Sequence, residues 1–270
     1  MHNYKLFDIH THIWPDRLAP AACRNLGAFY NFPIEGEGTV SDLTESSLKN
    51  GVSGVLMLSV ATNAKQVPAV NAGAAAAVDA MREAGLNAYA FAGFHQDCVN
   101  ADEIVENAVS LGLSGFKLHP DIQGADIDDE RFFPLYRECE SRGLPLYFHM
   151  GDCRPQYRFS EIRRLIRIKE KFPALVTVAA HLGSYTAWED SYMLKDIPNT
   201  LYDTSSALWA MSAGRAGELI HMLGVSRCMF GTDYPVKTAD TEIALFEALE
   251  LTDEERRRIA YDNAAAFLKF

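Results

Sequence analysis

Eight short β-rich runs alternate with helix-like stretches from one end of the 270-residue chain to the other, and this alternation constrains the fold more than any other feature. The runs are residues 5–10, 54–59, 88–94, 115–119, 146–149, 176–181, 200–203 and 228–233. A βαβα pattern folds as a parallel sheet covered by helices, and eight strands suggest closure into a barrel rather than an open sheet. About 250 residues suffice for one (β/α)8 barrel. The expectation is therefore an α/β protein, a (β/α)8 TIM barrel, with residues 1–270 forming a single domain.

The stretches between the runs fit that reading. Helical spacing of apolar residues covers 101–111, 132–142, 160–172 and 213–223. Ser160 reads as an N-cap, and Gly112 and Gly143 stand where helices should stop. The alanine-rich segment 70–81 reads as a barrel helix rather than low complexity, alanine being the strongest helix former. Thr252, followed by three acidic residues, opens a capped final helix over 256–270. The longest irregular part, 14–39, is expected to lie over the barrel mouth as a loop or short helices.

Composition narrows the partners. Hydrophobic residues make up 48% of the chain, enough for a sizeable core, and the net charge of −11 disfavours a nucleic-acid backbone or an anionic membrane. A small molecule is the expected partner, and a homo-oligomer is compatible with the sequence. Cys23, Cys98, Cys139, Cys153 and Cys228 are scattered and form no Cys-x-x-Cys pair, which suits reduced packing residues. Met1 to Lys5 runs straight into the first strand without a signal-peptide core, so a cytoplasmic location is expected.

The chemistry lies where the runs end. Nearly every run is apolar until its last residues and then delivers a metal-ligand type: His10 and His12, then Lys117 and His119, His149, His181, Asp203 and Asp233. In a (β/α)8 barrel the C-terminal ends of all strands open on one face, so residues far apart in sequence converge there. Side-chain alternation points His10 and His12 the same way. A lone His-x-His is weak evidence, but with His149, His181 and Asp233 at matching strand ends it reads as part of a metal site.

Five motifs carry a resemblance: Asp8-Ile9-His10-Thr11-His12, Gly115-Phe116-Lys117-Leu118-His119-Pro120, Phe148-His149-Met150-Gly151-Asp152, Ala180-His181-Leu182-Gly183 and Phe230-Gly231-Thr232-Asp233-Tyr234-Pro235. In order and spacing the chain resembles the amidohydrolase superfamily, specifically the amidohydrolase-related branch that also holds metal-dependent decarboxylases. The resemblance implies that His10, His12, His149 and Asp233 bind one divalent metal, usually zinc, with manganese, iron or cobalt as alternatives. Three neutral imidazoles and a carboxylate suit zinc, which acidifies a bound water toward a pKa of about 7. It also implies catalytic roles for Asp233, as a proton-transfer group, and for His181, which polarises a substrate oxygen or shuttles a proton. Lys117 is a binding group for a substrate carboxylate in this reading; as a carboxylated bridge between two metals it would match the binuclear members instead.

Arg154 and Arg158 follow strand five and suit an anionic substrate, while Trp14, Tyr185 and Trp209 offer an apolar wall. Asp203 and Ser205 fit a supporting role for His181 or a metal-bound histidine. The leading expectation is hydrolysis of an ester, lactone or amide of a small carboxylate-bearing molecule by metal-activated water. The alternative is non-oxidative decarboxylation of a small aromatic or unsaturated acid. A metal-dependent deoxyribonuclease fits less well, lacking that family's glutamate motif, and a catalytically inert relative would be expected to have lost ligands.

Overall fold

The computed structural model describes residues 4–270; Met1, His2 and Asn3, at the start of the lead-in to the first strand, lie outside the described residues. Eight strands appear among the described residues: β1 (Leu6–Thr11), β2 (Val52–Leu58), β3 (Asn87–Gly93), β4 (Phe116–Leu118), β5 (Leu146–Phe148), β6 (Thr177–Ala179), β7 (Thr200–Asp203) and β8 (Cys228–Met229). They pair in sequence order and all in parallel. The last strand meets the first through Ile9 N–H to Phe230 O (2.9 Å), Asp233 N–H to His10 O (2.9 Å) and His12 N–H to Tyr234 O (2.7 Å), so the sheet closes on itself.

The helices are α1 (Ala19–Tyr30) and α2 (Val40–Lys49) after β1, α3 (Val67–Glu83) after β2 and α4 (Ala101–Ser110) after β3. Next come α5 (Pro120–Gln123) and α6 (Phe133–Arg142) after β4, α7 (Ile162–Lys171) after β5 and α8 (Ala213–Leu223) after β7. After β8 come α9 (Ala239–Glu247), α10 (Asp253–Arg257) and α11 (Asn263–Leu268). The β6–β7 connection carries short 3-10 turns, including Trp188–Leu194, in place of an α-helix. The alanine-rich segment is helical as expected and longer than its periodicity shows. Within the segment 14–39 one twelve-residue helix, α1, forms, and the rest is turn and irregular chain.

Period-two alternation sorts the side chains into two apolar clusters. Phe7, Ile9, Leu58, Phe91, Tyr147 and Met229 fill the barrel interior, while Leu6, Val55, Phe116, Leu118, Leu146 and Phe148 face the helices. At the N-terminal ends of the strands the chain's last residues close the floor: Phe270 stacks on Phe7 at 4.9 Å and on Tyr89 at 5.1 Å.

Two local expectations are revised. Ser160 does not cap α7, whose N-cap is Glu161 and makes no side-chain capping bond; Ser160 is buried and its hydroxyl accepts from the Gly151 N–H at 3.0 Å, fixing the loop after β5. The final helix is not continuous, because a π-helical turn, Arg258–Asp262, joins α10 to α11. Thr252 does form the expected reciprocal cap with Glu255. Among the described residues no helix is long and apolar enough to cross a membrane.

Candidate metal centre at the barrel mouth

The strand ends deliver their polar residues as parallel-barrel geometry requires, with one departure. Phe7 and Ile9 point inward, so strict alternation would send His10 outward with Leu6 and Asp8. Between Asp8, paired with Val55, and Thr11, paired with Met57, β1 takes three steps against two on β2. This bulge turns His10 back toward the mouth beside His12. Their Nε2 atoms lie 3.1 Å apart. Gly231 on the facing segment makes the approach feasible, since a Cβ there would meet His10 Cβ at 3.0 Å.

Four imidazoles converge, and each is oriented through its far nitrogen. His10 Nδ1 lies 3.0 Å from Asp203 Oδ2 and 2.9 Å from Ser205 Oγ. His12 Nδ1 donates to Leu58 O (2.7 Å), and His181 Nδ1 to Ser205 O (2.9 Å). His149 Nε2 stands 3.2 Å from Asp121 Oδ2, obliquely, and 3.4 Å from the Tyr30 hydroxyl. For His10, His12 and His181 the nitrogen facing a carbonyl or carboxylate oxygen carries the proton, which leaves their Nε2 atoms as bare lone pairs.

Those lone pairs face one another. His10 and His12 Nε2 lie 3.3 and 3.5 Å from Asp233 Oδ1, and His181 Nε2 lies 2.9 Å from His149 Nδ1. Among these facing acceptors the nearest donor is Lys117 Nζ, 3.3 Å from His10 Nε2, which leaves several lone pairs able to take a cation. The donor set therefore fits a divalent metal. His10, His181 and Asp233 each offer a ligand atom within 4.8 Å of the others, as do His119, Asp121 and His149. The structure thus groups His181 with His10 and Asp233, while His149, expected in the same ligand set, falls in the second group with His119 and Asp121.

Burial sets the protonation. It drives His10 and His149 well below the ordinary histidine range and His12 to about 3, with the Lys117 ammonium acting in the same direction on all three. Burial raises the Asp233 carboxyl, against the opposing field of His181 and a 2.6 Å hydrogen bond from Ser206 Oγ to Oδ2. Burial would raise Asp203 too, but the neighbouring His10, His181 and Ser205 overcome it and hold this carboxyl far below the carboxylate range. Tyr147 also donates to Asp203. Lys117 is fully buried, 3.3 Å from His10 Nε2 and over the Tyr147 ring, and burial lowers its ammonium to about 8. His181, Ser206 and Asp233 all have left-handed backbone, with φ of 61°, 50° and 60°, a strain that clusters at functional sites.

The other expected site residues fall differently. Arg158 is exposed and pairs with Glu161 at 2.8 Å, outside the cavity. Arg154 is paired with Asp152, donates to Phe29 O and covers the rings of Phe29, Tyr30 and Tyr157. It pins α1 to the β5 loop rather than reaching the histidines. Trp14 and Tyr185 line the cavity, while Trp209 packs edge-on against Phe32. His119 lies flat on His149, ring centroids 4.2 Å apart, and its Nε2 is 3.2 Å from Tyr30 OH. Sequence reasoning missed Tyr30, Asp121, Ser206 and Tyr147. Asp121, four residues past Lys117, sits just beyond a strand end, the one signal that marked it.

The cavity above this cluster holds about 980 Å3 and is walled mainly by apolar side chains of α1, α3 and the loops after β1 and β2. A closed parallel barrel whose strand ends gather imidazoles and a carboxylate around one point is the architecture of a metal-dependent barrel enzyme. The chain belongs to the amidohydrolase family, whose Amidohydro_2 model matches residues 7–270. None of the curated proteins matches it. Among solved structures it is similar to an uncharacterised TIM-barrel protein of Bordetella bronchiseptica, at 19% identity, 98% of both chains and a TM-score of 0.77. It is also similar to a 2,6-dihydroxybenzoate decarboxylase solved with 2,6-dihydroxybenzoate, at 16% identity, 99% of this chain, 100% of the other and 0.74. A manganese-bound 5-carboxyvanillate decarboxylase of Novosphingobium aromaticivorans gives 16%, 99%, 97% and 0.74.

Proposed function

We propose that the protein is a metal-dependent, non-oxidative decarboxylase of an aromatic or unsaturated acid. The observation that carries this reading is the place of Asp233, which stands with the histidine cluster at the inner end of an apolar-walled cavity. The likeness to decarboxylases of the same length supports it. A carboxylate moved from water against apolar walls loses hydration, whereas the departing carbon dioxide is neutral and needs none.

One divalent cation held by His10, His12, His149 and Asp233 would supply charge to polarise a substrate oxygen; zinc and manganese both suit this donor set. Lys117 adds positive charge beneath His10 and favours an anionic substrate. The carbon–carboxyl bond breaks, the electron pair stays on the substrate carbon, and a proton taken from solvent is passed by Asp233 to that carbon as carbon dioxide leaves. His181, fixed through Ser205 O, orients the substrate beside Asp233. Arg154 acts indirectly, by holding Tyr30 of α1 against His119 and His149.

The test is product analysis. Metal-reconstituted protein is given carboxyl-13C aromatic and unsaturated acids beside a panel of esters, lactones and amides, and elemental analysis counts the ions per chain. Labelled carbon dioxide, about one ion per chain and a kcat lowered at least ~100-fold in Asp233→Asn are expected. Turnover of an ester, lactone or amide without carbon dioxide release would instead establish the hydrolytic reading.

A further inference from the structure

We infer that the substrate of this site carries an extended apolar arm, seated in a gallery between α1 and α3; the inference rests on the decarboxylase reading for the acid head alone. The cavity that begins at the histidines does not end above them. It continues along α3 past Ala69, Gly73, Ala76 and Ala80, residues three or four apart on one helix face. From Ala69 to Ala80 that face extends about 16 Å. Opposite it stand Leu18, just before α1, and Ala22 and Leu26 of α1.

Three observations point to an occupant. The volume of about 980 Å3 stands at the top of the roughly 300–1,000 Å3 range of small-molecule sites, so a single-ring acid at the metal centre leaves most of it open. Of the twelve residues of α1 only Ala19 is buried, although the helix carries a row of apolar side chains toward α3. On α3 the side chains that face the gap are small: Ala69, Gly73, Ala76 and Ala80 are all exposed, and a Cβ added at Gly73 meets nothing within 4 Å. A second copy of the chain in this gap would seal the way to the histidines. A ligand with its acid head at the cluster and an alkyl or aryl arm along α3 fills the same space and leaves the centre usable.

Binding to metal-loaded protein of 4-n-alkylbenzoates, from methyl to hexyl, tests this by calorimetry. Affinity is expected to rise about fourfold per methylene, from roughly 0.8 kcal/mol per buried CH2. Gly73→Phe and Ala76→Phe should abolish that rise. Ala72→Phe, on an exposed α3 position outside the cavity, should keep it, and Gly73→Phe should fold because helices favour the replacement of glycine. A flat series in the unaltered protein, an undiminished slope in both gallery variants, or a change of oligomeric state in them without loss of slope would overturn the inference. The two readings separate cleanly: a steep slope without carbon dioxide from any acid retains the arm and removes the decarboxylase, whereas carbon dioxide from short acids with a flat slope does the reverse.

Discussion

The Nδ1 of His10 donates toward Asp203, and that carboxylate also accepts from the backbone N–H groups of His181 (3.1 Å) and Ser205 (2.9 Å). One buried anion thus fixes the tautomer of a metal-facing imidazole and the strand-six turn that presents another. Asp203→Asn keeps the shape and removes the charge, so metal affinity should fall about 10- to 100-fold, read by competition with a chromogenic chelator while circular dichroism stays unchanged. Protonation supplies a second residue-scale prediction. His12 is pushed to about 3 from an ordinary 6.5, so below that ordinary value the folded chain binds fewer protons than the unfolded one. By linkage, stability is present above the unfolded value and is lost as pH falls toward the folded one. Metal-free protein should show a melting temperature that drops steadily below about pH 6.5; a flat profile down to pH 5 would count against buried, neutral imidazoles.

Among the elements, α1 is the least anchored over the functional centre, held by the Arg154 contacts to Phe29 and Tyr30 and by the Tyr30 hydroxyl. Arg154→Met should speed amide exchange across residues 19–30 and leave the strands protected, because it removes the tether and no core contact. At the far end, Thr252→Ala removes the side-chain half of the capping box, the Glu255 N–H bond to Thr252 Oγ1, and keeps the backbone half. The loss of about 1 kcal/mol should lower the melting temperature by roughly 2–4 °C. The eight strands, the alanine-rich α3 and this cap were legible in the sequence because each rests on a local pattern that burial reinforces. The order of α1 was not, since its one buried residue gives no periodicity to read. Ser160 carried a capping residue's chemistry but spends it on Gly151. His10 and His12 were correctly expected to converge, yet the bulge that makes them do so has no signature in period-two alternation. Tyr30 and Asp121 stayed hidden because contacts across 89 and 28 residues to the histidines arise only in three dimensions.

For the whole molecule, the closure of the barrel and the assembly of the centre are one event. The backbone bonds that join the first strand to the last run through Ile9, His10, His12, Asp233 and Tyr234, three of them ligands in the proposed centre. A cation held by His10, His12 and Asp233 would tie the two sides of the seam together. At a free concentration one hundred times its dissociation constant it should stabilise the fold by about 2.7 kcal/mol. Chelation should therefore lower the melting temperature by roughly 5–10 °C, and re-addition of metal should restore it. The seam also sets a clock on biosynthesis. The proposed donors stretch from residue 10 to residue 233, so a nascent polypeptide still missing its eighth strand would offer an incoming ion only some of them. The complete set of proposed ligands is therefore available only after translation has passed residue 233.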